Sequence, residues 1–367
     1  MGRKITLVLV SVIVAAAMLL PAGAMADDSK YYTFRTGDTH YMTLNISSGD
    51  DVHAALDAAC SYVKNNQDGS QYTVVIPAGS YRNTDLTHVY SNTYISAVGA
   101  TITNAAGDSG PMIRAGYHGD AASRGYSGYK NITIYGGTWD GNGQHISKGF
   151  SMFKFGHATN VTMQNMTLKN DKGAHFVEFG GVDGVNVKNC SFSNYINGSG
   201  GDGGQEAVQL DINKESVFKN FPTFDDTPCR NITVTGCTFS NVHRGVGSHS
   251  ATYGSYYDNV DISNNTFKNV TQYAIIGVNF KNAKIMNNKI TNAGCGIDFK
   301  YMNPKTISKS KYIKGSLNSN AKSVISGNKI DIPKKKMGSN TFGIRIYGEK
   351  FKKSKYGLPK KDQRDCK

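Results

Sequence analysis

Three carboxylates stand close together in the middle of the chain, in segments whose alternation decides where they point. Glu178 sits inside V-E-F at 177–179, Asp211 closes V-Q-L-D at 208–211, and Glu206 comes two residues before that strand, at its rim. With Val177, Phe179, Val208 and Leu210 facing a core, Glu178 and Gln209 face outward, and Asp211 takes the next outward position. On adjacent stacked strands, two residues along (~6.6 Å) and one strand across (~4.8 Å) put the Glu178 and Asp211 backbones about 8 Å apart. An inverting glycosidase holds its acid and base carboxyls roughly 6.5–9.5 Å apart, with a water between them. Glu178, Glu206 and Asp211 are therefore the candidate catalytic groups. Gln209, His243, Arg244, His249, Asp298, Lys300, Arg345 and Tyr347, on the same or following segments, are the candidates for holding substrate.

Other chemistry is less well provided for. No phosphate-cradling glycine loop, zinc-type spacing or nucleophile elbow is visible. Asp225-Asp226 could contribute to a Ca²⁺ site, but two adjacent acids fall short of the six or more oxygens Ca²⁺ takes, so no metal or other cofactor is expected. Two insertions, Tyr195–Gly204 and Asn213–Pro228, flank the strand that carries Gln209 and Asp211, and long loops on a rigid scaffold often carry function. Phe218, Phe221 and Phe224 in the second could wall a sugar site or pack the loop down.

The elements that must position these groups come from a repeat. The pattern x-(V/I)-x-(I/V/M)-x-x-(N/C)-x-(F/I/L)-x-N begins at Asn131, Asn160, Gly184, Asn231, Asn259 and Asn282, with a degraded copy at Lys322. The spacings are 29, 24, 47, 28, 23 and 40 residues, the period of stacked coils with insertions. Each copy alternates apolar and polar, breaks at two small or polar residues, then alternates again, which predicts two short strands joined by a tight bend. The seventh position is Asn265, Asn288 and Asn328 in the last three copies, predicting an internal amide ladder; Cys190 and Cys237 hold the same slot as inward packing residues. A third strand follows each copy. Three strands per coil predict an all-β fold, a right-handed parallel β-helix, that hand being the default for parallel connections.

Aligning the third strands on Val177, Val208, Val246, Ile276, Ile297 and Ile344 as inward residues gives two outward rows. One is Lys154, Glu178, Gln209, Gly247, Gly277, Asp298, Arg345; the next is Gly156, Gly180, Asp211, His249, Asn279, Lys300, Tyr347. A sheet face so rich in carboxylate, imidazole, amide and cation reads as a groove for a polar polymer. Helical spacing at Val52, Leu56, Ala59 and Val63 predicts a short helix sealing the open end of the solenoid, with Ser48 or Asp50 as its cap.

The ends differ from the body. Met1–Ala26 has a basic head, an apolar run and an A-x-A exit, the layout of a secretory signal peptide, so the mature chain should begin at Asp27 with no lasting membrane anchor. Residues 27–47 are expected as a lead-in, 48–348 as the β-helix, and 349–367 as a basic tail or linker that should pack poorly. Of the net charge of +14, the stretch 300–367 alone holds 19 Lys/Arg against 4 Asp/Glu, so the remainder is close to neutral. A basic tail on a neutral body suggests an anionic surface, such as a cell-wall polymer, as its partner. No nucleic-acid partner is indicated, and a secreted monomer is expected. Six cysteines are too few for a disulfide scaffold.

The run GDDVHAALDAAC, then TVVIPAGSYR and SNTYISAVGATIT, resembles the opening of the pectate-lyase-like superfamily. GGTWDGNGQ at 136–144 followed by NVTMQNMTLKN resembles the polygalacturonase branch, the family 28 glycoside hydrolases. That family carries Asn-Thr-Asp, Asp-Asp, Gly-His-Gly and Arg-x-Lys on successive coils. The corresponding segments here are Gly173-Ala174-His175, Gln205-Glu206, His243-Arg244-Gly245 and Arg345-Ile346-Tyr347; only Glu206 and Arg345 keep the chemical type. The resemblance implies the fold and a polysaccharide substrate. The reaction stays open among a glycoside hydrolase, a lyase on a uronate polymer using a base such as Lys300 or Arg345, and a non-catalytic cell-wall-binding solenoid.

Overall fold

The computed structural model describes residues 30–105, 110–116, 123–197, 205–219, 221, 223–302, 307–315, 322–333 and 341–348. The expected signal peptide, the basic tail and most of the glycine-rich insertion lie outside these residues.

One coil shows how sequence becomes solenoid. Asp183–Lys188 lies in a first sheet, Ser191–Ser193 in a second and Glu206–Asp211 in a third, and Arg230–Thr235 then pairs in parallel with Asp183–Lys188 to begin the next coil. Val185, Val187, Phe192, Val208 and Leu210 all point inward and are fully buried. Complete burial of such a side chain contributes roughly 1.5–3 kcal/mol, so the period-2 pattern fixes which face of every strand is core. The same order repeats along a right-handed parallel β-helix whose sheets have twelve, nine and nine strands among the described residues.

The bends explain the asparagines. Asn265 donates from its backbone N–H and Nδ2 to Asn288 Oδ1 (3.0 and 3.1 Å), and Asn288 repeats both bonds to Asn328 Oδ1 (3.0 and 2.9 Å). This is the ladder expected of the seventh position. Cys190 and Cys237 pack inward in that slot as free thiols. The first and last asparagines of the repeat do something the alternation did not reveal. Asn131, Asn160, Asn231, Asn259 and Asn282, and likewise Asn241, Asn269 and Asn292, turn the corners with φ between 53° and 57°. Asparagine tolerates this left-handed conformation better than other residues with a Cβ. Its amide also bonds the corner below, as in Asn269 Nδ2 to Asn241 Oδ1 at 2.9 Å.

The helix forms at His53–Asn65 and buries Ala55, Leu56, Ala59, Cys60 and Val63 against the first coil. Neither Ser48 nor Asp50 caps it; the Asp51 carboxylate accepts from the His53 N–H at 3.1 Å. The segment expected as a lead-in belongs to the sheet instead. Asp38–Leu44 pairs in parallel with Tyr72–Val75, while Tyr32–Arg35 pairs antiparallel with Asp38–Leu44 at the outer edge. Burial of Met42 and Leu44 accounts for it. No helix among the described residues is long and apolar enough to cross a membrane.

Candidate functional site on the third sheet

The third sheet sets the register of every candidate group. Its outward row runs His88, Arg114, Lys154, Glu178, Gln209, Gly247, Ile276, Asp298, Arg345, each paired with the next. Asp211 lies opposite Gly180, one coil on from Glu178 and two residues along, as the alternation predicts. The row differs from expectation in the strand Tyr273–Val278, where Ile276 and Val278 face outward in place of Gly277 and Asn279. Two adjacent isoleucines made either register compatible with the pattern. Gly277 faces inward, where a larger residue would not fit: a Cβ there would lie 3.0 Å from the Phe299 ring and 3.1 Å from Phe280.

Glu178 and Asp211 are held in opposite states. Glu178 Oε2 accepts from Lys154 Nζ at 2.9 Å and Ser151 Oγ at 2.7 Å. Burial pushes this carboxyl up, but the Lys154 charge, the nearby His175 and the Ser151 hydroxyl bring it below the usual glutamate value. Asp211 forms no ion pair with a lysine or arginine among the described residues. Burial, then the Glu178 charge, push it up to about 7, against weaker help from His249, Ser250 and Gln209. Gln209 Nε2 donates to Asp211 Oδ1 at 2.8 Å, while Gln209 Oε1 has no partner among the described residues. Two carboxyls pushed apart in this way are the arrangement from which acid and base roles arise.

A roof covers them. Phe218 and Phe221 of the second insertion stack on each other and press onto glycines; a Cβ on Gly180 would come within 2.7 Å of the Phe218 ring, and one on Gly156 within 2.5 Å of Phe221. Lys154 Nζ lies 4.4 Å from the Phe218 centroid. These aromatics therefore pack the loop down, leaving Glu178 4% and Asp211 1% exposed. Nothing in the alternation signals this contact. The Asp225 carboxylate accepts from the backbone N–H groups of Thr227 (3.1 Å) and Gly125 (2.8 Å), and no cluster of three metal-binding side chains occurs among the described residues.

Glu206 is not at the rim. It is fully buried as the first residue of its strand, with Oε1 3.0 Å from Arg244 Nη1 and Oε2 2.9 Å from His249 Nδ1. Although burial opposes it, these partners hold Glu206 down at about 2. With both oxygens engaged, its geometry is that of a group positioning Arg244 and His249. His249 is raised by the Glu206 carboxylate against the desolvation that lowers it. His175 stacks on His249 at 6.0 Å, donates from Nδ1 to the Glu206 carbonyl at 2.8 Å, and is lowered by burial. His175, Ser151 and Lys154 complete this cluster; the outward row had included Lys154, and no pattern pointed to Ser151.

A second cluster lies at the far end. Asp298, fully buried, accepts from Arg345 Nε at 2.8 Å and has Lys300 Nζ at 3.6 Å. The Arg345 guanidinium sits between Phe342 and Tyr347, 4.1 and 4.7 Å from their ring centroids. Buried Ile276 and Val278 separate this cluster from the first. His243 joins neither: its Nε2 meets Asn197 Oδ1 at 2.6 Å and its ring packs on Tyr195, at a corner of the coil.

No protein-family model matches the chain, and no curated protein matches it. Solved structures do. Two structures of PfbA, a surface adhesin of Streptococcus pneumoniae, align with TM-scores of 0.63 and 0.60 at 20% and 19% identity, over 85% and 84% of this chain and 76% and 78% of theirs. A tailspike protein mutant of E. coli bacteriophage HK620, in complex with a hexasaccharide, aligns with a TM-score of 0.55 at 19% identity, over 82% of this chain and 51% of that chain. At this identity the likeness is one of fold, and by fold the chain is a right-handed parallel β-helix.

Proposed function

We propose that this chain acts on a polysaccharide outside the cell as a glycoside hydrolase, with Asp211 as general acid and Glu178 as general base. The observation that carries the reading is the pair itself: two carboxylates one coil apart, one with no lysine or arginine paired to it and raised to about 7, the other held ionised by Lys154. Near neutral pH Asp211 would protonate the leaving oxygen, and Glu178 would draw a proton from the attacking water. Arg244, His249, Lys300, Arg345 and Tyr347 would line the sugar path beyond the pair. Productive binding requires the Phe218–Phe221 segment to lift, because Asp211 is 1% exposed.

That burial favours a second reading, a binding solenoid in which the acids serve structure, and the adhesin and the hexasaccharide complex among the fold relatives keep it in view. The lyase reading gains less. Its base would need a lowered pKa, whereas Asp298 raises that of Arg345. A polysaccharide panel incubated with the full chain, read for new reducing ends and for the ultraviolet absorbance of unsaturated uronates, separates the three. Hydrolysis predicts reducing ends alone, with activity lost by orders of magnitude in Asp211→Asn and Glu178→Gln. Reducing ends with absorbance would mean a lyase, and retention of polymer without cleavage a binder.

A further inference from the structure

One histidine outside the catalytic pair stands at a corner where other coils use glycine or asparagine. His157 follows the strand Phe153–Gly156 with φ of 50°; the corner after Val177–Gly180 is Gly181 (φ 62°) and that after Tyr273–Val278 is Asn279 (φ 55°). Glycine adopts this left-handed conformation without strain and histidine does not. The reason for a histidine here lies in its ring. His157 is 2% exposed, with Nδ1 2.8 Å from the Gly125 carbonyl oxygen and Nε2 2.9 Å from that of Thr223. A carbonyl oxygen only accepts, and a neutral imidazole donates from one nitrogen alone. Both contacts are hydrogen bonds only when the ring is an imidazolium. In the neutral ring, one nitrogen lone pair would face a carbonyl oxygen.

The two carbonyls belong to different pieces of the chain. Thr223 lies in the roof, two residues beyond Phe221, and Gly125 lies in the 123–129 segment beside it. Thr223 has φ of 113°, a costly conformation for a β-branched residue. The ring therefore holds a strained point of the roof. The neck of this loop is closed separately, by backbone bonds from Asn213 N to Thr227 O and from Asp226 N to Asn213 O, both 2.9 Å. Release at Thr223 thus leaves the loop hinged at its base.

We propose that His157 is a proton-operated latch: its imidazolium holds Thr223, and with it Phe218 and Phe221, down over Asp211 and Glu178, and loss of its proton to water frees the roof. As a control on activity the latch rests on the hydrolase reading; as a device of the fold it does not. The charged and titratable groups on the elements around the ring are Arg124 and Tyr126 beside Gly125, Asp225 and Asp226 beyond Thr223, Lys154 on its own strand, and the Arg230–Asp183 pair on the following coils. None forms an ion pair or side-chain hydrogen bond with His157 among the described residues; Asp225 accepts from Gly125 N, Tyr126 donates to Pro228 O, and Lys154 pairs with Glu178. Asp211, beneath the roof and pushed up to about 7, is the other group whose charge could loosen it.

The test reads the roof and not the reaction. The 213–228 loop of the full chain is digested from about pH 5 to 8, the range in which imidazoles change charge, with each rate divided by that of the free loop peptide at the same pH. Loss of a hydrogen bond to a charged group corresponds to a roughly 10- to 150-fold change in opening, and relative cleavage of wild type should rise by that factor with pH. His157→Asn, whose side chain suits this corner, should be cleaved fast at every pH. The rise should persist in Asp211→Asn, and long-range proton–nitrogen NMR spectra of wild type at the acid end should show both His157 ring nitrogens protonated. The inference is overturned by a ring protonated on one nitrogen alone while the loop is protected, by pH-independent cleavage of wild type, by loss of the rise in Asp211→Asn, or by a His157→Asn chain as protected as wild type. A polysaccharide panel without cleavage removes the hydrolase reading and leaves each of these results standing.

Discussion

Replacing Asn288 by alanine removes the centre of the internal amide ladder. Its Oδ1 accepts from the Asn265 N–H (3.0 Å) and Nδ2 (3.1 Å), and its Nδ2 donates to the Ile262 carbonyl and Asn328 Oδ1 (both 2.9 Å). Asn265 Nδ2 keeps its bond to Val234, so the groups left stranded are one buried backbone N–H and one buried carbonyl. At about 1–3 kcal/mol for each unsatisfied group, Asn288→Ala should cost about 2–6 kcal/mol. The comparison that isolates the ladder is Asn269→Gly. Asn269 also bonds its stacked neighbours, but at an outer corner with φ of 56°, where glycine is at ease and water can replace the amide. That change should cost under about 1 kcal/mol. Urea unfolding of both variants, with m unchanged from wild type, measures the difference. Equal costs, or Asn288→Ala within about 0.5 kcal/mol of wild type, would show that the ladder does not hold the coils together.

Three further outcomes follow from the site. Glu206, at about 2 when folded against roughly 4.3 unfolded, contributes stability that is present above about pH 4.3 and lost as pH falls toward 2; Glu206→Gln should be less stable than wild type at pH 7 and show no such acid loss in pH-dependent urea melts. Asp211 has the opposite sign: at about 7 folded against roughly 3.9 unfolded, its contribution is complete below about pH 4 and lost as pH rises from there through 7, so Asp211→Asn should gain on wild type between about pH 4 and 7 and level off above. Phe218→Ala should cost about 3–5 kcal/mol by thermal or urea melting and speed proteolysis of the 213–228 loop, because this fully buried ring closes the roof over Gly180.

Much of this molecule was legible because a coil is short and its pattern has period 2. The alternation at Val177–Phe179 and Val208–Leu210 left Glu178, Gln209 and Asp211 only one face, and the seventh-position asparagines could only stack. Legibility failed where the alternation was degenerate or the contact was remote in sequence. Ile275 and Ile276 both suited the core, so the alternation alone left the register of this strand open. The fully buried Glu206 read as a rim residue because its partners, Arg244 and His249, lie 38 and 43 residues away. The roof was invisible for the same reason, since glycine at 156 and 180 reveals a close approach but not that Phe218 and Phe221 make it. The corner asparagines were in plain view, and only their backbone role was missed.

The proposed acid and base roles require Asp211 and Glu178 to hold different protonation states near neutral pH. The most direct measurement is an NMR titration of the side-chain carboxyl carbons of the full chain, assigned with Asp211→Asn and Glu178→Gln, which needs no substrate. Asp211 should titrate around pH 7, with Glu178 already ionised throughout and released upward when Lys154 is replaced by methionine. An Asp211 carboxyl that titrates near its unfolded value, or a Glu178 that takes the proton in its place, would contradict the acid and base assignment.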